Sequence, residues 1–251
     1  LVALAVLLGA GWIAGVVVPG IVQQYVVKPN EYEMEKPYLR FHMDATLKAY
    51  GLDRIRALSV TPSGETTPED LRADLDTVRN IRLWDYGPLL RTYKQLQEIR
   101  SYYDFSDVDI DRYNFDESGV HRQVMLSVRE LDSSQLQNPT WVNRHLEFTH
   151  GFGVVMNPVN EVAPGGMPVL FVKDLPPKAS VSLDIRRPQV YFGEKTNTYA
   201  LVRTEVKEFD YPMGDANVRS TYEGTGGVPL GSLWRRLLFA LRFRDTEILF
   251  T

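Results

Sequence analysis

The sequence predicts an α+β protein in which one N-terminal transmembrane helix precedes a soluble domain of helices and antiparallel strands. Three observations predict this fold class. Residues 1–27 contain no Asp, Glu, Lys, Arg or His, residues 67–103 carry apolar side chains at three- and four-residue spacing, and short β-branched runs separated by Gly and Pro follow residue 120. Helical periodicity first and strand-like runs afterwards are typical of α+β domains.

The uncharged run at residues 1–27 is the predicted transmembrane helix. As an α-helix it would be roughly 40 Å long, enough to cross a hydrocarbon core of about 30 Å. The sequence Lys28-Pro29-Asn30-Glu31 predicts that the helix ends there, because it introduces charge and a proline. The chain is therefore divided into a transmembrane helix (1–27), a juxtamembrane segment (28–56) and an extracytoplasmic α+β domain (57–251).

Two glycines, Gly11 and Gly15, lie one helical turn apart in the predicted span. Small residues at this spacing let membrane helices approach closely and predict a packing face, although Gly and Ala are common in any membrane helix. The chain begins with Leu1 rather than Met, and the apolar run is too long for a signal peptide. We therefore expect a fragment or a processed form with further sequence upstream, and the charges alone do not orient the span.

Turn residues and apolar spacing predict the elements of the soluble part. Thr67-Pro68-Glu69-Asp70 is a helix start with Thr67 as N-cap, and the apolar stripe behind it continues to about Ile81. A second helix is predicted from Pro88 to about Tyr103. The remaining predictions are a juxtamembrane helix from Pro37 to Gly51, a short helix from Asn138 to His150, a helix over 230–243, and strands at 120–129, 152–156, 168–173, 181–186 and 198–206.

Composition excludes several function classes. The chain contains no cysteine, which excludes disulfides, thiolate metal sites and cysteine nucleophiles. A formal net charge of −4 argues against nucleic-acid binding, which requires a strongly basic face. The sequence has neither a P-loop nor a Gly-x-Ser-x-Gly elbow, and the glycines of Gly224-Thr225-Gly226-Gly227 predict a flexible turn. No cofactor and no catalytic residue is therefore predicted.

Three acids, Asp107, Asp109 and Asp111, alternate with Val108 and Ile110. On a strand they would share one solvent face while the two apolar side chains point inward, and this is the favoured interpretation. The alternative is a site for a hard cation such as calcium, which prefers carboxylate oxygens. An EF-hand is excluded, because Arg112 and Ser118 stand where that loop requires Gly and Glu.

His145, Glu147 and His150 resemble a zinc-protease motif without matching it. That motif needs two histidines four residues apart on one helix face, whereas these are five apart, about 140° around a helix. Metal catalysis is therefore not predicted. We expect His150 to cap or hydrogen-bond the end of the short helix, where a positive charge interacts favourably with the helix dipole.

The predicted C-terminal helix is basic and amphipathic. Trp234 and several leucines alternate along it with Arg235, Arg236 and Arg242. Such a helix can lie in a membrane interface and contact lipid, which makes these four residues a candidate membrane-surface site. The favoured alternative is an ordinary helix that docks on the soluble core.

Several motifs together resemble the uncharacterised protein family 0182 of bacterial integral membrane proteins. They lie in order along nearly the whole chain: Val27 to Glu31, Lys36 to Tyr38, Leu47 to Asp53, Trp84-Asp85, Gln97 to Phe105, Asp107 to Tyr113, Trp141 to Leu146, Thr149 to Gly153, Val190 to Glu194, Glu208 to Pro212 and Leu238 to Phe243. His42-Met43 departs from the Asn-Ile expected there. The resemblance implies the last span of a multi-pass protein and the first part of its extracytoplasmic region, in the bacterial plasma membrane. It implies no activity.

The resulting functional hypothesis is a non-catalytic accessory or scaffold subunit that binds other membrane proteins. The alternative is part of a transporter or envelope-processing system whose soluble domain handles a substrate. A deep pocket lined by Asp107, Asp111, His145 or His150 would favour that alternative.

Overall fold

The computed structural model describes residues 2–59, 64, 66–116, 119–214 and 216–250. Leu1 of the predicted span and residues 60–63 and 65, near the predicted start of the soluble domain, lie outside the described residues. The chain divides into two compact units, Leu1–Glu65 and Thr66–Thr251. The first unit is helical and the second combines helices with antiparallel strands, which confirms the predicted α+β class.

The first unit contains α1 (Val2–Ala49), a helix long and apolar enough to cross a membrane. Regular α-helical geometry is interrupted where the sequence predicts the end of the span: Lys28–Asn30 form a 3₁₀ turn and the backbone of Asn30 is non-helical. Helical structure resumes at Glu31 and continues to Ala49, so the predicted juxtamembrane helix begins earlier than Pro37. Pro19 and Pro29 lack the N–H that an α-helix needs. Each follows a π-helical turn, Ile13–Val17 or Gln23–Val27. The wider turn absorbs the interruption at Pro19, where the helix continues to Val22.

The second unit begins with three short helices: α2 (Pro68–Ala73), α3 (Leu75–Arg79) and α4 (Tyr86–Gln97). Thr67 and Asp70 form the reciprocal capping box at the start of α2. The helix predicted as continuous from Thr67 to Ile81 is interrupted at Asp74. The backbone of Asp74 is non-helical, and its side chain accepts a hydrogen bond from the N–H of Thr77 to begin α3.

The strands are short and antiparallel. They are β1 (Tyr103–Asp104), β2 (Asp109–Tyr113), β3 (Arg122–Val128), β4 (Glu130–Leu131), β5 (Gly151–Phe152), β6 (Val154–Pro158), β7 (Val162–Ala163), β8 (Met167–Pro168), β9 (Val172–Lys173), β10 (Lys178–Ala179), β11 (Gln189–Val190), β12 (Glu208–Met213) and β13 (Ala216–Ser220). The main sheet has the order β10-β9-β6-β3-β2. Two-stranded pairs β1-β4, β11-β5, β12-β13 and β7-β8 surround it.

Both faces of the main sheet are covered, as alternation along its strands requires. Met125 of β3 and Val155 of β6 pack against Leu89 and Tyr93 of α4. On the other face, Val124 and its neighbours pack against the irregular segment that contains Val181, Leu183 and Ile185. The central sheet and α4 therefore form a rigid base for the segments that follow.

Two predicted strands are wrong, and one hairpin was missed. Residues 181–186 and 198–206 have no strand pairing, whereas β12 and β13 form a hairpin with a register shift between Phe209 and Tyr211. Phe209 packs with Tyr103, Leu131 and Phe152 in a second aromatic core. The final helix, α5 (Leu233–Phe243), lies within the predicted range 230–243.

Candidate functional site

The candidate site is a buried polar cluster of His150, Glu208 and Asp210, called the His150 cluster below. The three residues are 1 %, 2 % and 5 % exposed. Nε2 of His150 lies 3.0 Å from Oδ1 of Asp210, and Nδ1 lies 3.4 Å from Oε2 of Glu208. One imidazole therefore lies between two carboxylates, an arrangement that favours its protonated form.

Local structure explains why these residues meet. Glu208 and Asp210 lie two positions apart on β12, so both carboxylates project from the same side of the strand. Phe209 between them projects into the aromatic core. His150 directly precedes β5, and β5 lies close enough to β12 for Phe152 to contact the ring of Tyr211 at a centroid distance of 5.0 Å.

Donors from neighbouring segments also bind these two carboxylates. Thr149 Oγ1 donates to Glu208 Oε2 (2.5 Å), Tyr191 OH donates to the same oxygen (2.7 Å), Ser220 Oγ donates to Asp210 Oδ1 (2.6 Å), and the Tyr222 N–H donates to Glu208 Oε1 (3.1 Å). Buried charges are stable only when such bonds replace the lost water. The cluster thereby joins the Thr149–His150 loop, Tyr191 and the β12-β13 hairpin.

The cluster shifts the proton affinity of its members. Burial alone would lower the pKa of His150, but hydrogen bonds and charge from Asp210 and Glu208 raise that pKa above its usual value. Burial opposes ionisation of Glu208, yet hydrogen bonds from His150, Thr149 and Tyr191 hold its pKa below the usual value. Burial and the Glu208 carboxylate raise the pKa of the Tyr191 phenol. The two carboxylates thus favour the imidazolium form of His150.

A cleft of about 240 Å³ lies next to the cluster, with Tyr191, Ser220 and Tyr222 forming their shared wall. The other lining residues are Arg186, Arg187, Gln189, Thr221, Glu223 and Gly224. A Cβ at Gly224 would lie 2.3 Å from the Tyr222 ring, so only glycine leaves room for that ring. The cleft is lined by two arginines and two tyrosines, and the Tyr191 hydroxyl points from its wall to Glu208 of the cluster.

This geometry limits what the site can do chemically. Ser220 Oγ donates to Asp210, and Thr149 Oγ1 lies 2.9 Å from His150 Nδ1 but is itself buried. A nucleophile must reach the substrate as well as its base, and Thr149 does not meet that condition. The arrangement is suited to locking three chain segments together and to positioning Tyr191 and Tyr222 at the cleft.

A second buried charge lies nearby at Arg129, which is fully buried. Its Nε and Nη2 donate to the Gln97 carbonyl, and its Nη1 donates to the Phe152 carbonyl. The guanidinium also lies over the Phe105 ring, 5.2 Å from its centroid. Burial lowers the pKa of Arg129 to about 10, so the group remains charged at neutral pH. Carbonyl dipoles and an aromatic face stabilise this charge.

The predicted acidic motif lies elsewhere, on and just before β2. Asp107, Asp109 and Asp111 are exposed, whereas Val108 and Ile110 pack into the core between α4 and the sheet. Within the described ranges, no group of three His, Cys, Asp or Glu side chains is arranged to hold a metal ion. Calcium binding by the three aspartates stays a prediction.

The two predicted histidines have different environments. His145 Nδ1 lies 2.8 Å from the Tyr199 carbonyl, and its ring stacks on the Tyr199 ring at 4.0 Å. The expectation that His150 caps the short helix is wrong. The helical turn ends at Glu147 with Phe148 as C-cap, and the His150 ring interacts with carboxylates from β12 instead. Paired charges outweigh a helix dipole, whose effect is about 0.3–1 kcal/mol at exposed sites.

The remaining predicted residues lie on exposed surfaces. A Cβ at Gly11 or Gly15 would meet nothing within 4 Å. Trp234, Arg235 and Arg242 of α5 are exposed, and Arg236 is partly buried. Their proposed roles in helix packing and lipid contact stay predictions.

Sequence reasoning missed Glu208 and Asp210 as partners of His150. Their alternation with Phe209 is the available signal, since it predicts two acids on one strand face. The usual interpretation of that pattern is a solvated face, and here the acidic face is buried. A contact between residues 150 and 210 is tertiary, so local periodicity carried no information about it.

Comparison with known proteins identifies relatives along the whole chain. The model of the uncharacterised protein family UPF0182 matches residues 1–251. A UPF0182 protein of Sulfurovum sp. (strain NBC37-1) is 50 % identical over 98 % of this chain, and one of Pelotomaculum thermopropionicum is 47 % identical over 98 %. The chain spans about a quarter of the length of these relatives, 26 % and 27 % respectively. No solved structure matches.

Proposed function

Because this chain belongs to the uncharacterised protein family UPF0182, we propose that it is a membrane-anchored component that binds other membrane proteins. In this proposal its role is that of a non-catalytic accessory or scaffold subunit. Its second unit faces the extracytoplasmic or periplasmic side of a bacterial plasma membrane. The closed geometry of the His150 cluster supports a structural rather than catalytic use of its charges.

The observation that carries the proposal is the open glycine face of α1. The helix has the length and hydropathy to cross a membrane. Gly11 and Gly15 lie one turn apart, and a Cβ at either position meets nothing within 4 Å. Helix association in membranes depends on close backbone approach at small residues. A second transmembrane helix therefore fits this face.

The test substitutes the glycine face in the natural membrane. Gly11→Leu/Gly15→Leu should keep the protein in the membrane fraction but reduce the size of the detergent-extracted particle, because leucine holds the backbones apart. Gly9→Leu is the matched control, since Gly9 is equally open but lies about 200° from Gly11 around the helix. An unchanged particle in the double variant, or a monodisperse monomer in the unsubstituted protein, would contradict the proposal.

Substrate handling is the second candidate function, and the cleft beside Tyr191 and Tyr222 favours it. This cleft is not lined by the four residues that the sequence singled out, but it contacts the His150 cluster through its wall. Arg186 and Arg187 favour an anionic ligand. Inorganic phosphate or succinate should then raise the unfolding temperature of the unsubstituted chain and not that of Arg187→Gln. No shift with either anion would exclude anion binding at the cleft.

A further inference from the structure

Helix α5 has two apolar faces, and only one of them packs on its own unit. Ala240 is 7 % exposed, and the Phe243 ring contacts the Tyr199 ring at a centroid distance of 4.7 Å. Arg236 lies on this packed side, where its Nε donates to the Leu230 carbonyl. These contacts account for the docking of α5 without using most of its leucines.

The second apolar face of α5 is a continuous exposed arc. It consists of Leu233 (78 % exposed), Trp234 (73 %), Leu237 (46 %), Leu238 (61 %) and Leu241 (75 %). At 100° per residue these side chains cover roughly 140° of the helix circumference. A contiguous apolar surface of this kind marks an interaction site, unlike the single apolar side chains that are common on protein surfaces.

The edge of the arc is positively charged. Arg235 and Arg242 form the sides of an apolar groove of about 340 Å³, which Val228, Leu238 and Phe239 complete. Arg235 Nη1 donates to the Pro229 carbonyl, which leaves other N–H groups of that guanidinium available. The helix contains three arginines and no acid, in a chain whose net charge is −4. Positive charge is thus concentrated where the apolar arc ends.

We propose that α5 lies in the surface of an anionic phospholipid bilayer. The leucines and Trp234 enter the boundary between headgroups and acyl chains, and Arg235 and Arg242 bind headgroup phosphates. An amphipathic helix with arginines beside a Trp- and Leu-rich face is the type that binds in this way. The inference rests on the membrane anchoring proposed for α1, because a covalent tether raises the local concentration of lipid around α5.

The positive charge of α5 favours a bilayer over a second copy of this chain as the partner of the apolar arc. Two α5 faces packed on one another would bring arginines together with no acid on either helix to pair with them. Like charges brought together at an interface cost free energy. The carboxylate just beyond α5, Asp245, already accepts hydrogen bonds from Trp141 and Tyr199.

Spin labels on the full chain in vesicles test the proposal, and the absence of cysteine makes single labels straightforward. The probe is Leu241→Cys, with Lys178→Cys on exposed β10 as the matched control and Leu7→Cys in α1 to report insertion. In phosphatidylcholine vesicles with about 30 % phosphatidylglycerol, the label at 241 should become accessible to oxygen and shielded from a water-soluble nickel chelate. The label at 178 should stay aqueous.

Removal of either arginine should weaken the association of α5 with the anionic bilayer. In Arg235→Gln or Arg242→Gln, the ratio of lipid-facing to aqueous label at 241 should fall roughly fivefold. Arg72→Gln, which removes an exposed arginine from α2, should leave that ratio unchanged. High salt should reproduce the effect of the α5 substitutions, because it screens exposed charges.

The possible failures are distinguishable. An aqueous label at 241 together with a lipid-facing label at 7 would overturn this inference and leave the membrane anchor intact. An aqueous label at 7 would overturn the anchor and this inference together. Spin–spin broadening at 241 that disappears on dilution with unlabelled chain would assign the face to a second copy. A label at 241 that neither oxygen nor the chelate reaches would assign it to protein, and either result would overturn lipid binding.

Discussion

At the scale of single residues, this protein places titratable groups in its interior and surrounds each with specific partners. His150 interacts with two carboxylates, whereas Arg129 is held by carbonyl oxygens and an aromatic ring. Breaking a buried pair by removing one partner is costly because the other charge is left without compensation. The two groups should therefore respond strongly to substitution, and His150 should also respond to pH.

The pH response of His150 follows from the signs of two shifts. Its folded-state pKa lies above the ordinary 6.5, so its contribution to stability is complete below pH 6.5 and is lost as pH rises through the folded value. The pKa of Glu208 lies below the ordinary 4.5, so its contribution is complete above pH 4.5 and is lost as pH falls through the folded value. The cluster should contribute most to stability between pH 4.5 and 6.5.

His150→Gln should therefore destabilise the protein more at about pH 5.5 than at about pH 8.5, with a loss of about 3 kcal/mol at the lower pH. Urea unfolding followed by near-ultraviolet circular dichroism measures the difference in the free energy of unfolding. His121→Gln, at an exposed histidine, should change that free energy by less than about 0.5 kcal/mol at both pH values. Equal losses at both pH values for His150→Gln would show that folding does not raise the pKa of His150.

At the scale of elements, the segments with strong local periodicity were predicted correctly. The segments whose structure depends on tertiary pairing were not. The apolar spacing behind Pro88 and the β-branched run at 120–129 identified α4 and β3, because each buries one regular face. The strands predicted at 181–186 and 198–206 have suitable side chains but pack as irregular segments, since no neighbouring strand edge pairs with them. The β12-β13 hairpin was missed because Glu208, Asp210 and Pro212 disfavour a strand assignment.

The same limit applies to the candidate site. His150 was singled out from the sequence, but its environment depends on β12, almost sixty positions away. The π-helical turns of α1 were also missed. A proline in an apolar helix is usually interpreted as a bend or as the end of the helix, not as the sign of a widened turn before it. Local chemistry thus identified the residue types, and long-range packing determined their partners.

Gly151 shows how one position holds two elements together. A Cβ there would lie 2.1 Å from the Arg129 carbonyl oxygen and 2.7 Å from the Glu130 Cα, both backbone atoms. Gly151→Ala should therefore separate β5 from the segment carrying Arg129 and destabilise the second unit by about 3 kcal/mol or more. Gly231→Ala is the matched control, because a Cβ there meets nothing within 4 Å. Equal unfolding free energies for the two variants would contradict this close approach.

At the scale of the whole molecule, the two units use apolar side chains in opposite ways. In Leu1–Glu65 the apolar side chains of α1 are almost all exposed, as expected for a helix in contact with lipid or other membrane helices. In Thr66–Thr251 three apolar clusters surround the sheet and the aromatic hairpin, as in a water-soluble domain. The partners described above for the His150 cluster and for Arg129 all belong to the second unit.

A fragment of residues 66–251 should consequently fold without the first unit. Its unfolding should be cooperative, and it should show the same loss of stability above pH 6.5 that His150 causes in the whole chain, because the cluster lies entirely within it. Circular dichroism and urea unfolding at about pH 5.5 and about pH 8.5 measure both properties, with the His150→Gln fragment as the control that lacks the pH response. A fragment with helical far-ultraviolet signal but no near-ultraviolet signal would be a molten globule. That outcome would show that the second unit depends on the first for its packing, and it would contradict the assignment of Thr66–Thr251 as an independent domain.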